Sequence, residues 1–246
     1  MSVPTTEPTL RGLSIVLPCL NEAENLPDAV RYATDAAARC ALTHEIVIVD
    51  DGSTDDTVAV AGRLAARDAR VRLVVHDRNR GYGEALCSGL AAARLEWVLL
   101  VDADLQFDVA ELADFLPLTR SADLIVGRRI LAQGSARGRL AGAVWSRFVR
   151  VALDLGVRDV ECGFRLVRRD LVDRLELHAG GPLVGAELLV KARAADGRIA
   201  EMPVHHRIRV AGRQTGIGPR LAARTLHELA ELRRMAHSRA DRTVNA

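Results

Sequence analysis

The sequence predicts an α/β fold with a mostly parallel central sheet flanked by helices. Three observations carry this. Short apolar runs alternate with segments of helical apolar spacing from residue 13 to residue 127, the pattern of strands covered on both faces and joined by crossover helices. Two acidic clusters, Asp50-Asp51 and Asp102-Ala103-Asp104, each follow such a run directly, and open parallel sheets bind ligands outside the carboxyl ends of their strands. The chain has 246 residues, 49% of them hydrophobic, which supports one full core and excludes a disordered chain.

The elements follow in order. Residues 1–11 read as a flexible lead. Leu13 to Leu17 is a buried strand stopped by Pro18. Asn21 to Arg39 has helical spacing, with Leu26, Val30 and Ala33 on one face and Asn21 or Asn25 as cap. Glu45 to Val49 is the second strand, and Thr54 to Arg67 a helix with Thr54 or Asp55 at its N-cap. Val71 to His76 is the third strand, Gly81 to Arg94 a helix rich in small residues, and Trp97 to Val101 the fourth strand. Phe107 to Thr119 reads as helix and Asp123 to Gly127 as the fifth strand.

The second half is less regular. Residues 139–156 carry an amphipathic pattern with Leu140, Ala143, Val144, Phe148, Val151 and Leu155 on one side. Asp159 to Val167 is a loop entering a strand, Gly185 to Asp196 a helix, and Ile199 to Arg209 a strand. A glycine-rich loop, Gly212 to Pro219, precedes a final amphipathic helix, Pro219 to His237. With no repeat and no linker, residues 12–218 form one domain, and 219–246 a C-terminal helix and tail.

Charge and cysteines narrow the function. A net charge of +2 from 34 basic and 32 acidic residues does not suit a general nucleic-acid binder. Arg128, Arg129, Arg137, Arg139, Arg147 and Arg150 nevertheless lie in a stretch without an acidic residue; it reads either as a solvated face or as a site for an anionic ligand or membrane surface. Cys19, Cys40, Cys87 and Cys162 match no zinc or redox spacing and suit a reducing compartment. The N-terminus lacks a signal peptide's apolar core, and no stretch reaches the roughly 18 apolar residues of a membrane span. The expected location is the cytoplasm, in solution or at the inner membrane face.

The acidic clusters carry the chemistry. Carboxylates at i and i+2 in an extended turn, as in Asp102 and Asp104, can face one site, and hard ions such as Mg²⁺ or Mn²⁺ take oxygen ligands while keeping a substrate diphosphate. The stretch from Asp50 to Thr57, DDGSTDDT, admits two readings: acceptors for base or ribose, or an ordinary strand-to-helix turn with an aspartate cap. Gly52 permits a tight turn there. No GxGxxG follows the first strand, which argues against a dinucleotide-binding dehydrogenase.

These segments together resemble a known family. LSIVLPCLNEAENL (13–26), EIVIVDDGSTDDT (45–57), NRGYGEAL (79–86), WVLLVDADLQF (97–107), DLIVGRR (123–129), DVECGFRLVRRD (159–170), GAELLVKARAADGRIAEMPV (185–204) and RVAG (209–212) are similar, in the same order, to the inverting family 2 glycosyltransferases of GT-A fold. The chain resembles in particular the branch of dolichyl-phosphate and polyprenyl-phosphate sugar synthases. The resemblance implies a hexosyltransferase using a GDP- or UDP-sugar. It assigns Asp104 as metal ligand, Asp102 with its neighbour Ala103 as a donor ribose or metal contact, and Gln106 to the metal shell or acceptor side. It places Pro18, Leu20, Asn21, Glu22, Asp50 and Asp51 around the nucleotide, Gly81 beside the donor, and Arg129 and Arg209 on phosphates.

The acceptor follows from charge logic. A hydroxyl acceptor needs a carboxylate base, whereas a lipid phosphate is already ionised and asks for basic residues instead. Asp159 with Gly163-Phe164-Arg165 resembles the lipid-phosphate pattern, with Arg129, Arg137, Arg139 and Arg165 available to the acceptor. Glu161 or Asp159 remains a base for the hydroxyl alternative. The family's loop often continues in Ser-Lys where this chain has Arg213-Gln214-Thr215-Gly216, so Arg213 or Gln214 replaces the lysine. The transmembrane tail of many lipid-phosphate members is missing. A protein that binds nucleotide-sugars without catalysis is the alternative of another class, and the complete DADLQ and VDD segments speak against it. His205 and His206 are adjacent in a strand pattern and therefore point to opposite faces; one of them lines the pocket.

Overall fold

The computed structural model describes residues 10–130, 147–153, 155–178, 181, 183–207, 228–230 and 232–234. Seven strands form one sheet in the order β3-β2-β1-β4-β6-β5-β7. They are β1 (Leu10–Cys19), β2 (Ala41–Asp50), β3 (Val71–Val75), β4 (Trp97–Leu100), β5 (Leu124–Ile130), β6 (Arg165–Arg168) and β7 (Ile199–His205). β1 runs parallel to β2 and β4, β2 to β3, and β5 to β7. Only β6, between β4 and β5, is antiparallel to its neighbours. The sheet is therefore mostly parallel, as predicted.

Burial explains the apolar runs. Ile46, Val47, Ile48 and Val49 are all 0% exposed, continuous rather than alternating, because layers cover both faces of the sheet. Helix α1 (Leu26–Cys40) buries Leu26, Ala29, Val30, Ala33, Ala36, Ala37 and Cys40, a stripe at three- and four-residue spacing. Helices α2 (Thr57–Arg67) and α3 (Tyr82–Ala92) follow β2 and β3. The strand order reverses between β1 and β4, the crevice position for a ligand in such sheets.

Several boundaries differ from the sequence reading. β1 begins at Leu10, inside the stretch read as a lead. α1 starts at Leu26 rather than Asn21, because Asn21 takes a left-handed φ of 57° and spends its side chain on the neighbouring loop. The single helix expected over 107–119 is broken into Val109–Glu111, Leu112–Phe115 and Leu116–Arg120, with Pro117 unable to supply a helical N–H. In the segment 147–153, helical to residue 152, Val149 and Leu153 are buried while Phe148 and Val151 are 50% and 68% exposed. The predicted apolar face is thus wrong for Phe148 and Val151: two apolar edges compete on this segment, and the Val149–Leu153 edge faces the core.

Candidate active site

The loops after β1 and β2 are laced together. Asn21 Oδ1 accepts from the Thr54 amide at 2.8 Å and the Asp55 amide at 3.3 Å, and the Asn21 amide donates to Ser53 Oγ at 2.9 Å. The Glu22 amide donates to Thr57 Oγ1 at 2.9 Å. Asn tolerates the left-handed conformation this requires. Pro18 and Cys19, at the end of β1, pair in register with Val49 and Asp50, so Pro18 to Glu22 and Asp50 to Ser53 form one rim, with Leu20 at its turn.

Asp50 and Asp51 separate in role. Asp50 is fully buried; its Oδ2 accepts from the Gly52 and Ser53 amides at 3.1 and 3.0 Å, and its Oδ1 has no hydrogen-bond partner among the described residues. Asp51 is 4% exposed. Its Oδ1 meets His76 Nδ1 at 2.7 Å and accepts from the Arg80 amide at 2.9 Å, while Oδ2 accepts from the Gly81 amide at 2.9 Å. His76 Nε2 in turn lies 2.9 Å from Ser88 Oγ. Asp51 therefore holds the 76–81 loop. The sequence offered no signal for His76, which reads there as the last residue of a strand.

The Asp102–Gln106 turn leaves β4 at the reversal of strand order. Asp104 is 8% exposed and accepts the Gln106 amide at 3.1 Å. Leu105 between them has φ 62°, a conformation costly for a leucine and characteristic of turns held for function. Ala103 is buried. Tyr82, at the start of α3, donates its hydroxyl to Asp102 Oδ1 at 2.9 Å. Burial and the nearby negative charge of Asp104 push the Asp102 carboxyl up to about 6, against the Tyr82 hydrogen bond. A buried carboxylate with a second one beside it suits a divalent cation. Among the described residues no group of three or more His, Cys, Asp or Glu is placed to hold a metal; a hard ion here would draw its remaining oxygens from a ligand such as a diphosphate. Gln106, expected in the metal shell or on the acceptor side, donates its amide Nε2 to the Arg207 carbonyl at 3.0 Å, and the Arg207 amide donates back to the Gln106 carbonyl at 2.7 Å.

Aromatics stiffen this turn from behind. Phe107 packs on Phe164 and on His206, at centroid distances of 5.8 and 4.9 Å, and Phe164 on Phe115 at 5.0 Å. The two histidines diverge as expected: His205 Nδ1 meets Glu111 at 3.0 Å, and His206 turns to Phe107. Burial, then the charge of Arg129, lowers the pKa of His206, and its Nδ1 has no hydrogen-bond partner among the described residues.

From β5, Arg129 faces Asp159. Burial opposes the charge of Asp159, but the hydrogen bonds and charge of Arg129 outweigh it, and the carboxyl titrates below its usual range. Glu161 Oε1 is shielded from solvent. Arg165 is 2% exposed, with Nη2 on the Val160 carbonyl at 2.8 Å and its guanidinium against Gly185. Arg165, expected at the acceptor, is thus buried on β6, and its Nε has no hydrogen-bond partner among the described residues. Arg137, Arg139, Arg209, Arg213 and Gln214 lie outside the described residues.

A parallel α/β sheet with paired carboxylates at its point of strand reversal and a laced double loop beside them defines a GT-A transferase. The chain belongs to glycosyl transferase family 2, whose profile matches residues 14–176; it is a glycosyltransferase. It is 36% identical over 212 residues to an uncharacterized glycosyltransferase of Mycobacterium tuberculosis, covering 82% of this chain and 88% of that one. It is 31% identical over 210 residues to the undecaprenyl-phosphate 4-deoxy-4-formamido-L-arabinose transferase of Erwinia tasmaniensis, covering 84% and 63%. Glucosyl-3-phosphoglycerate synthase from M. tuberculosis, crystallised with Mn²⁺, UDP-glucose and phosphoglyceric acid, shares the fold with a TM-score of 0.69 at 23% identity, over 92% of this chain and 80% of that one.

Proposed function

We propose that the protein transfers a sugar, with inversion, from a nucleoside-diphosphate sugar to a polyprenyl phosphate, on the cytoplasmic side and in solution or at the membrane surface. The observation that carries the acceptor is the Arg129–Asp159 pair. Asp159 is held by a guanidinium and titrates low, which makes it a weak base. An acceptor phosphate is ionised already and has no proton to remove. The likeness to an undecaprenyl-phosphate transferase supports this acceptor, and exposed Phe148 and Val151 beside Arg147 support contact with a lipid surface.

The donor reading rests on the rim. The buried Asp50 Oδ1, without a hydrogen-bond partner among the described residues, supports a contact with an N–H of the base, and the Asn21–Thr54 lacing shapes the cleft beside it. Asp102 and Asp104 would hold Mg²⁺ or Mn²⁺, with Gln106 fixing the turn. That ion would offset charge on the leaving diphosphate. Arg129, once an anionic acceptor competes with Asp159 for its fork, orients the acceptor phosphate. Buried Arg165 makes the local potential less negative.

A second reading, transfer to a hydroxyl with Glu161 as base, is favoured by the solvent-shielded Glu161 Oε1. The assay that separates them offers UDP- and GDP-sugars with Mn²⁺ to polyprenyl phosphate, 3-phosphoglycerate and free saccharides. Glycolipid formation that survives Glu161→Gln supports the first reading. Transfer to hydroxyls alone, lost in Glu161→Gln, overturns it.

A further inference from the structure

We infer that Tyr82 is a positioning residue for Asp102: its hydroxyl holds one carboxylate oxygen, and the absence of a side chain at Gly163 leaves room for the other. The inference rests on the reading of Asp102 and Asp104 as the donor and metal carboxylates. Tyr82 Oη donates to Oδ1 at 2.9 Å. A Cβ built on Gly163 would lie 2.5 Å from Oδ2, so a larger residue there would displace the carboxylate that Tyr82 holds.

Tyr82 also joins the two halves of the site. Gly81, the residue before it, adopts φ 103° and donates its amide to Asp51 Oδ2 at 2.9 Å. A short path therefore runs from Asp51 at the end of β2, through Gly81 and Tyr82, to Asp102 after β4. The carboxylate on the nucleotide side and the carboxylate on the metal side are held at a fixed spacing by two adjacent residues.

The hydroxyl has no evident folding task. Tyr82 remains 38% exposed, so phenylalanine keeps the ring's packing and removes one hydrogen bond. The bond the hydroxyl makes is to the Asp102 carboxylate, so its loss falls on the orientation of that group. Residues standing behind metal ligands typically change metal affinity or activity about 10- to 100-fold when removed.

The chain has two tyrosines, Tyr32 and Tyr82, and Tyr32 lies 46% exposed on α1 beside Arg31. With Tyr32→Phe as background and 3-fluorotyrosine incorporated, one ¹⁹F resonance reports Tyr82. That resonance should shift in Asp102→Asn and broaden on adding Mn²⁺ with UDP. Tyr82→Phe should weaken Mn²⁺ binding in the presence of UDP, followed by electron paramagnetic resonance, about tenfold and lower kcat with little change in donor KM, at a native melting temperature. Gly163→Ala should do the same with Tyr82 intact. A Tyr82 resonance indifferent to Asp102→Asn, or native Mn²⁺ binding and kcat in Tyr82→Phe, overturns the positioning role. A protein that transfers no sugar from any donor, yet shows the resonance shift and weakened Mn²⁺ binding, keeps the positioning role and loses the proposed function instead.

Discussion

Arg129 and Asp159 meet in a two-pronged ion pair, Nε to Oδ2 at 2.7 Å and Nη2 to Oδ1 at 2.8 Å, with the Arg129 amide also donating to Oδ2 at 3.1 Å. Such forks fix geometry as well as charge. Asp159→Asn breaks the pair and leaves a half-buried guanidinium, at a cost of about 2 kcal/mol, below the range for fully buried pairs. The sign with pH follows from the lowered carboxyl. Its contribution is present above the unfolded value of about 3.9 and disappears as pH falls through the folded value. Urea unfolding at pH 7 should separate native from Asp159→Asn, and the gap should close in acid. In catalysis the variant should slow transfer without removing a limb from the rate–pH curve. Loss of the acidic limb, where a base becomes protonated, would make Asp159 a base after all.

Asp104→Asn keeps an acceptor for the Gln106 amide but removes one of two repelling charges. Turnover should fall by about 100-fold or more, since a ligand outweighs its supports. Mn²⁺ titration with UDP should show weakened binding. Thermal stability without metal should hold or rise, because the Asp102–Asp104 repulsion is relieved. A destabilised, fully active Asp104→Asn would remove Asp104 from the metal reading.

Much of this site was legible because its chemistry coincides with strand ends. Apolar runs such as Ile46–Val49 and Trp97–Val101 are buried on both faces, and the residues that end them must be the ones that leave the sheet. Asp50, Asp51, Asp102 and Asp104 were therefore placed by pattern alone. Partners supplied by distant segments were not. His76 and Ser88 meet Asp51, Tyr82 meets Asp102, and Arg207 meets Gln106 through contacts that carry no local periodicity. The burial of Arg165 escaped the sequence for the same reason: arginine is ordinarily exposed, and only the antiparallel insertion of β6 shows it buried. The α1 boundary failed at Asn21, where a side-chain interaction with the next loop overrides helical spacing.

Gly52 is required by both shape and conformation. Its φ is 72°, and an added Cβ would overlap the Arg78 carbonyl carbon and the Asn79 nitrogen, which are backbone atoms and cannot swing aside. Gly52→Ala should cost about 3 kcal/mol from strain and overpacking together. Denaturant unfolding measures this directly. Because the same amide holds Asp50 Oδ2, nucleotide affinity should fall as well. A variant that melts like the native protein would mean that the 52–79 contact is loose in solution.

His76 tests whether the donor rim is preorganised. It is 5% exposed and its two ring nitrogens are spent on Asp51 and Ser88. His76→Phe fills the space but leaves a buried carboxylate short of a donor, at a cost of about 1–3 kcal/mol. His76→Asn returns an amide N–H toward Asp51 and should recover part of that loss. The functional effect should fall on binding. Asp51 also holds the Arg80 and Gly81 amides, so a loosened Asp51 frees the 76–81 loop and raises the donor KM more than it lowers kcat, the mark of lost uniform binding. An equal fall in kcat and kcat/KM with unchanged KM would instead place His76 in transition-state stabilisation. That outcome would shift the Asp51–His76 pair from shaping the nucleotide rim to the reacting centre.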